Sequence, residues 1–166
     1  MTVIRQETHI NGPIERCFDA SRDLDLHVKS TDGTHEQAVP TGGLTSGLMG
    51  PGQTVTWRAT HFGVPQSMTM TITGFDPPHR FIDEMVKGPF KSIRHLHEYT
   101  EKDGVTVMKD VFEYQVPFGP LGKLVDLLVL KRHMTGLLTN RAAFLKQAGE
   151  STRISNETVT SAEKSA

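Results

Sequence analysis

Two histidines and two aspartates near the middle of the chain are the residues whose types and spacing could support chemistry. His95 and His97 are separated by one residue, so in a β-strand both imidazoles would project from the same face. Asp83 precedes them and Asp110 follows them, each in a segment with the apolar and β-branched residues typical of strands. An imidazole beside a carboxylate can orient a polar ligand or transfer a proton. Whether the four side chains meet depends on the elements that carry them.

A β-hairpin is predicted to position three of these side chains. Asp103 and Gly104 separate two strand-like runs and form a strong signal for a two-residue turn. With that turn, the numbers of opposite residues add up to 207, which places His97 opposite Asp110. The rest of that face is apolar or aromatic, with Ile93, Tyr99, Met108, Phe112 and Tyr114.

The free energies of exposed ion pairs and of apolar burial indicate which face of this hairpin is buried. Exposed cross-strand ion pairs such as Arg94 with Glu113 contribute only about 0.2–1 kcal/mol each. Burial of one large apolar side chain contributes roughly 1.5–3 kcal/mol. We therefore expect the apolar face to turn inward and to carry His95, His97 and Asp110 with it. A slip of one residue would bury the charges, so the register should be well held.

The preceding strand is predicted to bring Asp83 to the same face. A tight connection that pairs Lys87 with Ile93 makes the numbers of opposite residues add up to 180. Asp83 then lies opposite His97, which lies opposite Asp110 on its other side. The result is a row of two carboxylates with an imidazole between them, and the negative charges would favour the charged imidazole.

Four roles are open for this row on the residues alone. It can be a buried polar cluster that fixes strand register, since buried carboxylates must be paired. It can present His95 or His97 to a carbonyl, hydroxyl or carboxylate of a ligand. It can be catalytic, with His97 moving a proton and Asp110 orienting it. Finally, the two histidines with Asp83 or Asp110 match a metal site of two histidines and one carboxylate.

The rest of the chain supplies a sheet, two short helices and one long helix. Alternating apolar and polar residues predict further strands over 3–10, 53–62, 66–75 and 80–87. Short connections favour an antiparallel meander. Helices are expected over 13–20, 23–29 and 122–148. The last of these has a wide apolar face that must pack on another element.

One domain over residues 1–148 and a disordered polar tail over 149–166 describe the expected organisation. The tail is rich in Ser, Thr, Glu and Lys and poor in apolar residues. The glycine-rich stretch 30–52 has no clear periodicity, and its role stays open. Gly136, inside the long helix, costs about 1 kcal/mol relative to Ala and is expected to mark a bend or close packing. The histidines expected at the surface or in loops are His27, His79 and His133.

Composition excludes several classes of function. With 18 Lys+Arg against 19 Asp+Glu, the formal net charge is −1, and no basic stripe indicates a nucleic-acid partner. The single Cys17 excludes an intrachain disulfide framework and fits a reducing compartment. No apolar run reaches the roughly 18 residues of a membrane span, and the N-terminus does not resemble a signal peptide. We expect a cytoplasmic protein whose oligomeric state the sequence leaves open.

The order of elements and several local segments resemble the helix-grip fold of the START-like superfamily, also called SRPBCC. The segments similar to uncharacterised bacterial members are GQTVTW (52–57), PHRFID (78–83), GPF (88–90), HLH (95–97), MKD (108–110) and PFGPLG (117–122). The resemblance covers about residues 1–148. It implies an α+β fold in which a curved antiparallel sheet wraps around a long C-terminal helix, with two short helices near the N-terminus.

This resemblance also implies what the protein does. Superfamily members bind lipids, polyketides, hormones or other apolar molecules between sheet and helix, so we expect such a cavity, with no cofactor and no metal ion. Asp83, His95, His97 and Asp110 would be its polar anchor. Its walls would be Trp57, Met70, Met85, Tyr99, Phe112 and Tyr114.

Two alternatives to a binding protein stay open. Aromatic polyketide cyclases and dehydratases of the same superfamily catalyse reactions in the cavity, and here His97 would be the general acid or base oriented by Asp110. A regulatory protein-interaction module is the other alternative, and it would have a filled core without an internal pocket.

Overall fold

The computed structural model describes residues 1–31, 36–40 and 43–151. Its strands are β1 (Thr2–Ile10), β2 (Gln37–Ala38), β3 (Thr54–His61), β4 (Val64–Asp76), β5 (Arg80–Lys87), β6 (Ser92–Lys102) and β7 (Val105–Gln115). Its helices are α1 (Ile14–Arg22), α2 (Leu24–Ser30), α3 (Gly119–Val125) and α4 (Lys131–Glu150), with a π-helical turn, Asp126–Leu130, between the last two. All predicted strands and helices are present, with ends that differ by a few residues.

Within these ranges, seven strands form one antiparallel sheet in the order β1-β7-β6-β5-β4-β3-β2. The strands from β3 to β7 follow one another as the predicted meander, and β1 pairs with β7 at one edge. Helices α1 and α2 carry the chain from that edge to β2 at the opposite edge. The α+β helix-grip fold is therefore confirmed. Among the helices of the described ranges, none has the length and hydropathy that a bilayer crossing needs.

The β6–β7 hairpin has the predicted register. His97 lies opposite Asp110, and the turn falls at Asp103 and Gly104, both with positive φ. His97 is 2% exposed, and His95 and Asp110 are each 7% exposed. The prediction that this face turns inward is therefore confirmed.

The predicted register between β5 and β6 is wrong by two residues. Asp83 lies opposite His95, because the last paired residues before the connection are Glu84 and Arg94 and the connection is wider than a tight turn. A shift of two residues keeps every side chain on its original face, since successive side chains alternate. Asp83 therefore still projects inward beside His95 and His97.

The long C-terminal helix continues from residue 119 to 150, with the π-helical turn at Asp126–Leu130 as its irregularity. The expected close packing at Gly136 is wrong, because a Cβ there would meet nothing within 4 Å. The change in helix geometry lies before the glycine, at Asp126–Leu130, where the helix passes over one end of the sheet.

The end of α4 packs more tightly than expected. A Cβ at Gly149 would lie 2.7 Å from the Ile10 side chain, so only glycine allows this approach. Glu150 accepts a hydrogen bond from the backbone N–H of Asn11 at 3.0 Å, which fixes the helix end against β1. The helix thus includes the first residues of the predicted tail. The remainder of that tail, beyond Ser151, lies outside the described residues.

Candidate functional site

A cavity of about 570 Å³ lies between one end of the sheet and the helical segment above it. Its floor is formed by Trp57 and Ala59 on β3, Met68 on β4 and Ile93 on β6. Its cover consists of α3, the π-helical turn and the first turn of α4. Other apolar side chains in the lining are Phe62, Pro89, Phe90, Val116, Pro117, Leu130 and Met134. The cavity is therefore largely apolar.

The cover exposes many large apolar side chains. Those between 47% and 80% exposed are Phe118, Leu121, Leu124, Val125, Leu127, Leu128 and Val129. Four of these, Phe118, Leu121, Val125 and Val129, also line the cavity. Soluble monomers rarely expose contiguous apolar patches without a function. The same apolar segment thus faces the cavity on one side and the surroundings on the other.

A buried carboxylate anchors this cover to the sheet. Asp126, the first residue of the π-helical turn, is 7% exposed. Tyr114 on β7 donates a hydrogen bond to one of its oxygens, and Thr2 on β1 donates to the other. Burial and the Asp126 carboxylate raise the pKa of the Tyr114 hydroxyl well above its usual range, so Tyr114 remains a donor. The one acidic residue between positions 117 and 134 is thereby turned inward.

Among the described residues, three titratable side chains line the largely apolar cavity: Glu36, His61 and His133. His61 Nδ1 and His133 Nε2 are 3.2 Å apart. Burial raises the pKa of the Glu36 carboxyl, although His61 acts in the opposite direction. Burial and then the neighbouring His61 lower the pKa of His133. The cavity therefore shifts Glu36 and His133 toward their uncharged forms.

A chain of contacts connects Glu36 to the floor of the cavity. Its Oε2 atom lies 3.2 Å from His27 Nε2. The His27 ring stacks on Trp57 with the ring centroids 4.0 Å apart and 16° between the ring planes. Trp57 is the single tryptophan of the chain, so its indole is a built-in fluorescent reporter for the cavity.

The histidine–aspartate cluster, Asp83, His95, His97 and Asp110, is a compact group on β5, β6 and β7. Asp110 Oδ1 lies 2.6 Å from His97 Nδ1 and 3.4 Å from His95 Nε2. Asp83 Oδ1 lies 3.5 Å from His97 Nε2 and 3.9 Å from His95 Nδ1. Each imidazole thus directs one nitrogen toward each carboxylate. Phe81 stacks on His97 with the ring centroids 4.2 Å apart.

Opposite charges stabilise one another within this cluster. Burial alone would lower the pKa of His97, but the Asp110 and Asp83 carboxylates outweigh burial and raise it to about 9. Burial acts against the Asp110 carboxylate, yet His97 and His95 hold its pKa well below the usual range. The pKa of Asp83 is lowered for the same reason. The raised pKa of His97 favours its imidazolium form, which is the wrong protonation state for a general base.

The structure separates this cluster from the large cavity, and the expectation of one shared site needs correction. Of the ten predicted site residues, Trp57 lines the large cavity, and Trp57, Met70 and Asp83 line a separate void of about 40 Å³. The remaining wall residues are packed in or against the core: Met85, Tyr99, Phe112 and Tyr114. The physical reason is that other side chains fill the space there: the Phe18 ring of α1 lies 5.6 Å from that of Tyr99, and the Phe90 ring lies 5.5 Å from that of Tyr114.

Several cavity residues were missed by sequence reasoning. Glu36 precedes β2 in the glycine-rich stretch, where no periodicity marks a buried position. His133 was expected at the surface or in a loop, but it lies on α4 and faces the cavity. One signal was available: residues 121–130 are apolar on every side except at Lys123 and Asp126, which is more than one packed helix face requires.

Comparison with solved structures places this fold among known ones. The protein TTHA0849 from Thermus thermophilus matches with a TM-score of 0.72 and 16% identity, over 89% of this chain and 96% of that one. Norcoclaurine synthase from Thalictrum flavum matches with a TM-score of 0.65 and 17% identity, over 88% of this chain and 84% of that one. Ara h 8.0201 matches with a TM-score of 0.61 and 15% identity, over 88% of this chain and 98% of that one.

At these identities the likeness is one of fold, and it confirms the resemblance to START-like proteins at that level. No protein-family model and no curated protein matches the sequence.

Proposed function

We propose that the chain binds an apolar or amphipathic small molecule, such as a lipid, a polyketide or an aromatic compound, in the cavity beneath the C-terminal helical segment. The observation that carries this proposal is about 570 Å³ of space with a largely apolar lining. Ligand sites have volumes of about 300–1,000 Å³. Filled protein cores, by contrast, leave few voids larger than one water molecule.

The polar end of the cavity favours an uncharged polar group on the ligand. Glu36 and His133 are both shifted toward their uncharged forms, and His61 contacts His133. A hydroxyl or carbonyl can exchange hydrogen bonds with such groups without bringing a charge into an apolar space. We expect one polar end and a larger apolar body, so that the body contacts the Trp57 side of the floor.

In this proposal the ligand enters the cavity by displacing the cover. Its apolar side chains are exposed, so a partial opening adds little new apolar surface to water. Its anchor at Asp126 holds the π-helical turn to Tyr114 and Thr2 while the flanking residues face the cavity. Opening would therefore pivot on this anchor and move the flanking residues of α3 away from the cavity.

A cyclase- or dehydratase-type activity is the second candidate. One observation favours it: His133, with its lowered pKa, faces the cavity, and a neutral imidazole is the form a general base needs. His97 with Asp110, the pair expected from the sequence, is less well supported, because the raised pKa of His97 favours its imidazolium form and His97 does not line the cavity. The cavity argues against the third alternative, a protein-interaction module, because that alternative expects a filled core.

The proposal extends to partners and location. The partner is a small molecule, and no nucleic acid is involved, since the formal net charge is −1. We place the protein in the cytoplasm, and the free, buried Cys17 is consistent with a reducing compartment.

Titration with N-phenyl-1-naphthylamine, an uncharged fluorescent probe, tests the proposal. Excitation of Trp57 should produce saturable probe emission with one site per chain, because the probe would lie against the indole. 1-Decanol and 2-naphthol, both uncharged at neutral pH, are then added as competitors, and the stronger one identifies the ligand class. Probe emission that never saturates, or that neither competitor reduces, would contradict the proposal.

A further inference from the structure

Three ligand atoms of the histidine–aspartate cluster converge on one point. Asp83 Oδ1, one nitrogen of His95 and one nitrogen of His97 all lie within 4.8 Å of one another. Asp83 Oδ1 is 3.5 Å from His97 Nε2 and 3.9 Å from His95 Nδ1. Around a tetrahedral Zn²⁺ with bonds of about 2.0–2.1 Å, ligand atoms are about 3.4 Å apart. Small side-chain shifts would bring this set to bonding distance.

The opposite nitrogens of the two imidazoles share one carboxylate. Asp110 Oδ1 lies 2.6 Å from His97 Nδ1 and 3.4 Å from His95 Nε2. Metal-bound histidines usually direct their second nitrogen to a carboxylate, which fixes the ring orientation and the tautomer. Here one aspartate would do this for both rings, and it leaves Nε2 of His97 and Nδ1 of His95 free to face Asp83.

Charge and hydrogen bonding also favour a cation at this point. Asp83 and Asp110 bring two carboxylates into the buried cluster, which a divalent ion would balance when it displaces the proton of His97 on binding. Within the described part of the chain, the buried Oδ1 atom of Asp83 has no well-aligned hydrogen bond, although His97 Nε2 lies 3.5 Å away. His95 and His97 are more than nine-tenths buried, so the cluster is not an accidental group of surface side chains.

The cluster is accessible to an ion through Asp83, and a small void borders that residue. The Asp83 side chain is 26% exposed, so an ion can reach its carboxylate from outside. Asp83 also borders the void of about 40 Å³, together with Phe81 and Met70. A void of this size has room for about one or two water molecules. A three-residue site with a water at the fourth position is the arrangement of reactive rather than purely structural metal sites.

We propose that Asp83, His95 and His97 bind a first-row divalent metal ion, with Asp110 as the positioning residue for both imidazoles. Two imidazoles and one carboxylate suit Zn²⁺, Fe²⁺, Co²⁺ or Mn²⁺. No metal was expected from the family resemblance, so this differs from the sequence-based expectation. The site does not depend on the proposed ligand cavity.

The direct test is calorimetric titration of the full chain with Zn²⁺ after treatment with EDTA. We expect one ion per chain, a higher melting temperature with zinc, and visible d–d absorption when Co²⁺ replaces it. Wild-type protein that binds no zinc, or shows no such changes, would overturn the proposal without any variant.

Four variants locate the ion. Asp83→Asn and His95→Gln should weaken zinc binding more than the about 10–100-fold that loss of an outer partner costs. Asp110→Asn should weaken it by about 10–100-fold and keep the Co²⁺ absorption. His9→Gln, which removes an exposed histidine paired with Glu7 at 2.9 Å, is the matched control and should change nothing.

Two results would reassign the ion. Zinc binding that survives Asp83→Asn but is lost in His133→Gln would place the ion on the His61–His133 pair and overturn the proposal. If His9→Gln reduces zinc binding as much as Asp83→Asn and His95→Gln do, the ion binds only to surface histidines and the proposal is overturned. Circular dichroism melts of each variant show whether it is folded. If a cluster variant is unfolded, the Co²⁺ spectrum of the wild-type protein decides whether the site binds a metal ion.

Discussion

The inner face of the sheet has two halves that are filled in different ways. In the packed half, Phe18 and Ser21 of α1 contact Tyr99 and Met108, and α4 packs on β1 and α1. In the cavity half, α3 and the π-helical turn lie over Trp57 and Ile93 and leave about 570 Å³ between them. Both halves have the same strand alternation, so the strands do not account for the difference.

The covering helices account for the difference. In the packed half Phe18 from α1 reaches the rings of Phe81 and Tyr99 at 5.5 and 5.6 Å, and Leu145 from α4 is 4% exposed. In the cavity half the cover turns many of its large side chains outward, with Leu127 at 72% exposure. A cavity forms here because the covering segment does not supply enough inward volume.

The largest expected effect compares two strand methionines. Met108, 0% exposed in the packed half, should lose about 2–5 kcal/mol of unfolding free energy on Met108→Ala, because the change creates a new void. Met68 already borders the cavity, so Met68→Ala should cost only about 1 kcal/mol. Urea unfolding of both variants measures this, and equal losses would show that the two halves are packed alike.

A smaller effect concerns the anchor of the cover. Asp126→Asn weakens the hydrogen bonds from Tyr114 and Thr2 to a carboxylate, so we expect a loss of roughly 1.5–3 kcal/mol. Hydrogen exchange should become faster in residues 119–130 and stay unchanged in the packed half. Lys123→Gln on the same cover is the control and should stay within about 0.5 kcal/mol. Faster exchange across the whole chain would refute a local anchor.

The smallest effect is the pH dependence contributed by Glu36. Burial raises its pKa in the folded state above the ordinary value of 4.5. The folded state therefore holds this proton more tightly than the unfolded state, and stability falls as pH rises from about 4.5 through the raised pKa. Glu36→Gln should consequently be more stable than wild type above that window, with a gain that shrinks toward about pH 4. A stability difference independent of pH would contradict a raised pKa of Glu36 in the folded state.

The sequence was most informative where local chemistry determines geometry. The turn at Asp103 and Gly104 and the alternation around it predicted the β6–β7 register and the inward position of His97 and Asp110 correctly. The β5–β6 register failed because a wide connection carries no comparable signal, yet the face of Asp83 was right because the error was an even number of residues.

The extent of the cavity could not be predicted in this way. Where a helix leaves space depends on the volumes of side chains from several elements, such as Phe18 above Tyr99, and alternation reports only which face is buried. The partners Glu36 and His133 come from a stretch without periodicity and from a helix, and only the folded chain brings both to the cavity lining.

Filling the cavity tests the central claim most directly. Ala59 lines the cavity, whereas its neighbour Thr60 is exposed on the opposite face of β3, so Ala59→Phe and Thr60→Phe form a matched pair. We expect Ala59→Phe to weaken N-phenyl-1-naphthylamine binding, measured through Trp57 excitation, by at least about tenfold, or roughly 1.4 kcal/mol. Thr60→Phe should bind like wild type. Equal probe affinity in all three proteins would contradict a binding site in this cavity.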